Sequence, residues 1–179
     1  DVIPAASNGN FIDGECNIVG LSSGSYTPTV TAPSGYREIT GPMAGTYYVG
    51  QGYTSPNFAT ITAAFADLQL RGVSGAVNLV LTNNAATPYN TTNGETFPLA
   101  LNTVTGASGT NTITMKPNTG VTPIITGSSA NSIIKLNGTD YFTIDGSNSG
   151  STDRSLTIEN TNAAATTASV WLASTGVGA

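Results

Sequence analysis

The chain has 179 residues, a net charge of −5 and a pI near 4.2, and only 8% of its residues are charged. Five scattered cations (Arg37, Arg71, Lys116, Lys135 and Arg154) cannot form the clustered Lys/Arg surface that nucleic acid or an anionic membrane requires. The absence of histidine excludes Ser-His-Asp triads, Cys-His pairs and histidine-ligated metals, and the single cysteine, Cys16, excludes an internal disulfide and a cysteine-based zinc cluster.

The length suits one domain able to bury most of its unfolded surface. Low charge with abundant Thr, Val, Asn, Ser and Gly favours extended strands joined by polar turns, so the expected class is all-β. No apolar run is long enough to cross a bilayer, and no membrane insertion is expected. A chain that starts at Asp1 and closes on "STGVGA" reads as a piece of something longer.

In chain order, residues 1–45 are rich in Gly, Ser, Pro and Thr, with one good alternation in "TPTVTAP". They are expected to be an N-terminal arm or the end of a preceding domain. "GTYYVGQG" follows as a strand bounded by glycines.

The stretch "SPNFATITAAFADLQLRG" is the one convincing helix, at about 57–71. Phe58, Ile61, Phe65 and Leu68 share a face, Ser55 or Asn57 stands where an N-cap belongs, and Arg71 and Gly72 close it with a cation and a residue expected in the αL conformation. "AVNLVLT" is then a strand, and "NNAATPYNTTNGETFPLAL" a long polar loop ending in a short strand. After it comes a steady beat of short strands: "TITMK", "PIITG", "SIIKL", "YFTID", "SLTIE" and "SVWLA", spaced by about 11 residues.

Evenly spaced short strands fit an antiparallel sandwich or a parallel solenoid. The very unequal connectors ("NG", "SSAN", "GSNSGSTDR", "NTNAAATTA") argue against matched hairpins. They favour a right-handed parallel β-helix over residues 46–179, in which loops bulge from a fixed cross-section and the amphipathic helix caps the first coil. Asn137 and Asn160 are candidate stacked turn positions.

The segments "GTYYVGQG", "FATITAAFADLQLRGVSGAVNLVL", "IIKLNGTDYFTIDG" and "DRSLTIENT" resemble the right-handed parallel β-helix (pectin-lyase-like) modules of large secreted surface proteins of Bacteroidota and related bacteria, often exported by type IX secretion. The likeness covers residues 45–179. It implies an extracellular or cell-surface location and assigns no activity.

No catalytic residue is assigned from the sequence. Asp145, in "IDGS", reads as a strand exit that accepts main-chain N–H groups. "DGSNSGSTD" is oxygen-rich, and Asp145, Asn148 and Asp153 are candidate calcium ligands, although Leu156 stands where an EF-hand places its bidentate Glu. A glycosidase needs two facing carboxylates, for which Asp145 and Glu159 are the available pair. Tyr53, Tyr89 and Tyr141, near loops, are candidate sugar-stacking residues.

The expected role is a non-catalytic structural or adhesive module, packed end to end or laterally against itself or neighbouring subunits. Its rivals are a filament subunit that donates residues 1–45 as a strand, and a polysaccharide lyase or carbohydrate-binding module whose partners are glycans. Trp171, between Val170 and Leu172, is expected to face away from the interior that those two fill.

Overall fold

The computed structural model describes residues 41–54 and 57–174. These belong to the compact unit Ile39–Ala179, and the expectations for most of the N-terminal segment and for Cys16 and Ser55 lie outside the described residues. The elements in order are β1 (Met43–Val49), α1 (Ile61–Arg71), β2 (Val73–Leu81), β3 (Leu99–Asn102), β4 (Ile113–Pro117), β5 (Ile124–Gly127), β6 (Ser132–Asn137), β7 (Phe142–Ile144), β8 (Thr157–Asn160) and β9 (Ala168–Ala173). All the strands anticipated from "GTYYVGQG" onward are present, and β1 starts two residues before that stretch.

Every strand pair is parallel. The strands form three separate sheets, ordered β1-β2-β4-β7, β3-β6-β9 and β5-β8. This corrects the all-β, right-handed β-helix expectation: the described chain is mixed, its sheets are small and of unequal strand number, and no closed solenoid is seen. The reason lies early in the chain. Between β1 and β2 the connection is α1, and between β2 and β3 the polar segment 82–98 contributes only an isolated bridge at Tyr89 and one 3-10 turn, Thr91–Asn93. Each stretch adds a single parallel bridge, at Phe58 and at Tyr89, and no full strand.

The interior is shared by helix and sheets. Alternation sends Val77, Leu79 and Leu81 of β2 and Ile113 and Met115 of β4 inward, where they meet Leu99 and Leu101 of β3, Ile134 and Leu136 of β6, and Ile125 of β5. Helix α1 adds Ile61, Ala64, Phe65 and Leu68 to the same cluster, and the Phe65 ring meets Phe142 edge to face at 5.8 Å. Phe58 precedes the helix and pairs with Val49 as a bridge.

The helix ends also differ from expectation. Thr60 is the N-cap, its hydroxyl accepting from Ala63 N at 3.1 Å, while Asn57 receives Tyr48 N on its amide oxygen. Arg71 closes the last turn, bonded to Asp67 at 3.0 Å and to Gly41 O. Gly72 has the positive φ of 64° but a ψ of −167°, outside αL, and a Cβ there would meet Thr105 O at 2.5 Å.

Asn137 does stack. Its amide donates to Asn102, its partner in register, and Asn102 donates to Gln69 of α1. Asn160 instead pairs in register with Gly127, which has no side chain to stack, and bonds Ser129 and Ala168. Val170, Trp171 and Leu172 are all exposed (37, 43 and 74%), correcting the inward placement of Val170 and Leu172: β9 is the outermost strand of its sheet, so nothing described covers its alternate residues. Among the described residues no helix is long and apolar enough to cross a membrane.

Candidate functional site

The outward-facing positions of the four-stranded sheet form one surface. Register sets Tyr48, Val80 and Lys116 side by side across β1, β2 and β4, with Thr46 and Asn78 in the row before them. The loop after β7 rises beside these rows, and the two enclose a polar cleft of about 320 Å³ whose walls include Asn118, Asn148 and Ser149. Volumes of this size are at the small end of ligand-binding pockets.

The loop wall is built around Asp153. One carboxylate oxygen accepts from Asn148 N at 3.0 Å and from the Ser155 hydroxyl; the other accepts from the Ser147 hydroxyl at 2.6 Å, from Ser149 N at 3.3 Å and from the Ser149 hydroxyl. These donors, that of Ser147 foremost, hold the Asp153 carboxyl far below the usual carboxylate range. Asp145 accepts from Ser147 N at 2.9 Å, the side-chain turn expected of a strand exit. Asn148 donates its amide to Val121 O.

Asp145, Asn148 and Asp153 therefore do share one loop, but as a hydrogen-bonded staple. Main-chain N–H groups at 148 and 149 point at the Asp153 carboxylate. Among the described residues no group of three or more His, Cys, Asp or Glu side chains is placed to hold a metal ion.

The three tyrosines part company. Tyr53 is exposed and stacks on Tyr48, itself a lining residue of the cleft, with ring centroids 4.0 Å apart and planes 9° from parallel. Tyr141 is exposed at the start of β7, the opposite end of the same sheet, in a left-handed conformation (φ 55°), its carbonyl accepting from Ile113 N.

Tyr89 is 1% exposed and presents no ring face to a ligand. Its hydroxyl donates to Val49 O at 2.5 Å and accepts from Thr82 N at 2.9 Å and Asn83 N at 3.2 Å. Burial pushes this phenol up to about 12. Asn83 in turn accepts from Gln51 N and Gly52 N. Tyr89 and Asn83 thus anchor the turn that carries Tyr53 onto Tyr48.

Asp145 and Glu159 are not brought together on one sheet. β7 lies in the four-stranded sheet and β8 in the two-stranded one, where Glu159 accepts from Thr126 at 3.0 Å. Sequence reasoning passed over Asn78 and Asn118 as site residues. Polar residues at the outward positions of strands that were themselves legible, such as Asn78 in "AVNLVLT", were the available signal.

Comparison with known proteins finds no matching family model, no matching curated protein and no matching solved structure. The resemblance to secreted surface modules therefore rests on the sequence alone.

Proposed function

We propose that this chain is a non-catalytic adhesive module of a secreted cell-surface protein, a stiff parallel-strand scaffold that holds a ligand on the outer face of its four-stranded sheet. The observation that carries this reading is how the acidic side chains are used: of the six among the described residues, Asp140 is exposed and the other five serve local structure. Glu95 caps α1, Asp67 pairs with Arg71, Asp145 and Asp153 close the cleft loop and Glu159 bonds Thr126. Carboxylates spent on local structure are not poised for acid–base work on a substrate. The cleft, by contrast, presents the amides of Asn78 and Asn118 and the hydroxyl of Thr46.

The test is retention on polysaccharide-coated and mucin-coated beads, with the bound material assayed for new reducing ends. Retention with unchanged glycan is expected. Failure to be retained on any surface, or the appearance of new ends, overturns the reading.

A second reading, self-association, is favoured by one observation. The outer edges of β7, β8 and β9 pair with no other described strand, and β9 exposes Val170, Trp171 and Leu172 there. A strand edge is self-complementary, so two copies can join by the same edge about a twofold axis without a second surface. Trp171 is the single tryptophan of the chain, with the Lys135 ammonium 5.0 Å from its ring, and its emission reports on this edge directly. A concentration-dependent blue shift abolished by Leu172→Glu supports the pairing; monomers with constant emission refute it.

A further inference from the structure

Resting on the adhesive reading, we propose that the cleft beside the 145–155 loop binds a short neutral saccharide, with the Tyr48–Tyr53 stack as its platform and Asn78, Lys116, Asn118 and Ser149 as its hydrogen-bonding wall. Three features of the cleft point to this ligand class.

The first is charge. Lys116 is the one charged residue among the cleft's lining residues. Ile144 is the register partner of Met115, and Asp145 N bonds Met115 O, so the next residues along, Lys116 and Asp145, are neighbours across the two strands. One cation with the carboxylates of Asp145 and Asp153 beside it leaves the site without net positive charge on a chain of net charge −5. Phosphate-rich or polyanionic ligands are repelled overall and find no cluster of cations to offset it.

The second is the kind of polar group. Amides at Asn78 and Asn118 and the hydroxyl at Thr46 each donate and accept, and the Ser149 hydroxyl, whose proton goes to Asp153, accepts. A ligand that satisfies them must do the same at closely spaced points, which is the property of adjacent ring hydroxyls. An apolar ligand would strand these groups dry, at a cost comparable to a lost hydrogen bond for each.

The third is the aromatic pair. Tyr48, which lines the cleft, and Tyr53 are stacked face to face, with ring centroids 4.0 Å apart and planes 9° from parallel, and Tyr53 remains 40% exposed. An outer ring face of this stack is an apolar surface beside a polar cleft, matched to the C–H face of a pyranose ring, while the ring hydroxyls reach the wall. The stack is held in place from inside: the Tyr89 hydroxyl bonds Val49 O at the end of β1, and Asn83 accepts from Gln51 N and Gly52 N in the turn that leads to Tyr53.

The experiment is saturation-transfer NMR and calorimetry on the full chain with maltotriose, cellotriose, xylotriose and chitotriose, and with trigalacturonate as the acidic counterpart. At least one neutral trisaccharide is expected to bind. Asn78→Ala should weaken it about tenfold, the loss of roughly one well-made hydrogen bond, with an unchanged melting temperature because the side chain faces the cleft. Lys116→Met should weaken it no more than Asn78→Ala does.

The proposal is overturned if trigalacturonate binds more tightly than every neutral probe, if Asn78→Ala leaves the affinity unchanged, or if no probe binds while the chain is still retained on beads. That last result removes the ligand class and leaves the adhesive reading standing. Loss of retention on every surface would remove both.

Discussion

Glu95 holds the start of α1 from a distant loop, and removing it should loosen the whole N-terminal side of the core. The side chain is 4% exposed. One oxygen accepts from Ile61 N at 2.7 Å; the other accepts from Thr62 N at 2.9 Å and from the Thr62 hydroxyl at 2.6 Å. With Thr60 satisfying Ala63 N, the first three main-chain donors of the helix are all met, two of them by this one carboxylate, which also sits at the positive end of the helix dipole.

Glu95→Ala leaves two donors unmet at a buried end. At about 1–3 kcal/mol for each unsatisfied group, less the desolvation that the wild-type carboxylate no longer has to meet, the net loss is about 3 kcal/mol. In a unit of this size that lowers the melting temperature by about 6–12 °C. Glu95→Gln keeps one acceptor and turns the other into a donor facing a donor, and should lose about half as much. Chemical denaturation followed by circular dichroism measures both. A loss below about 1 kcal/mol for Glu95→Ala would refute the capping argument, because it would mean that water or another side chain meets those N–H groups equally well.

Tyr89→Phe removes the hydroxyl that Asn83 N relies on and should cost about 1–3 kcal/mol in the same assay, with a weaker Tyr48–Tyr53 stack visible in near-ultraviolet dichroism. The Tyr89 phenol is raised to about 12 from an unfolded value of 10.0, so its contribution is whole below pH 10 and is lost as the pH climbs through 12; denaturation at stepped alkaline pH should show about 3 kcal/mol disappearing across that window, and the step should be missing in Tyr89→Phe. The Asp153 carboxyl is depressed, so its hold on the loop is whole above its unfolded value near pH ~4 and fades only well below that. Asp153→Asn should let the amides of Asn148 and Ser149 exchange about tenfold faster at neutral pH, and unchanged exchange would contradict the staple. Gly106→Ala places a Cβ 2.1 Å from Val73 O at a φ of 84°, and a variant as stable as the wild type would show that this turn is not as tightly packed as described.

How much was legible beforehand depends on the range of the interaction involved. Two-residue alternation and turn residues are local, and they located the strands from β1 to β9 and the helix to within a few residues. The bland role of Asp145 was legible for the same reason, since its bond to Ser147 N spans two residues. Tyr89 was misjudged because a loop tyrosine looks alike whether its ring faces water or, as here, sends a hydroxyl to Val49 across forty residues of chain.

Composition and periodicity thus determine that this chain forms short strands around one amphipathic helix, has no histidine chemistry and bears few charges. They do not determine which strands become neighbours. Sheet membership put Glu159 away from Asp145, gave β1, β2 and β4 a common outer face, and brought Glu95 to the head of α1. Those outcomes follow from register and loop closure, in which residues 30 or more positions apart must meet within hydrogen-bonding distance, and such pairing leaves no periodic trace along the chain.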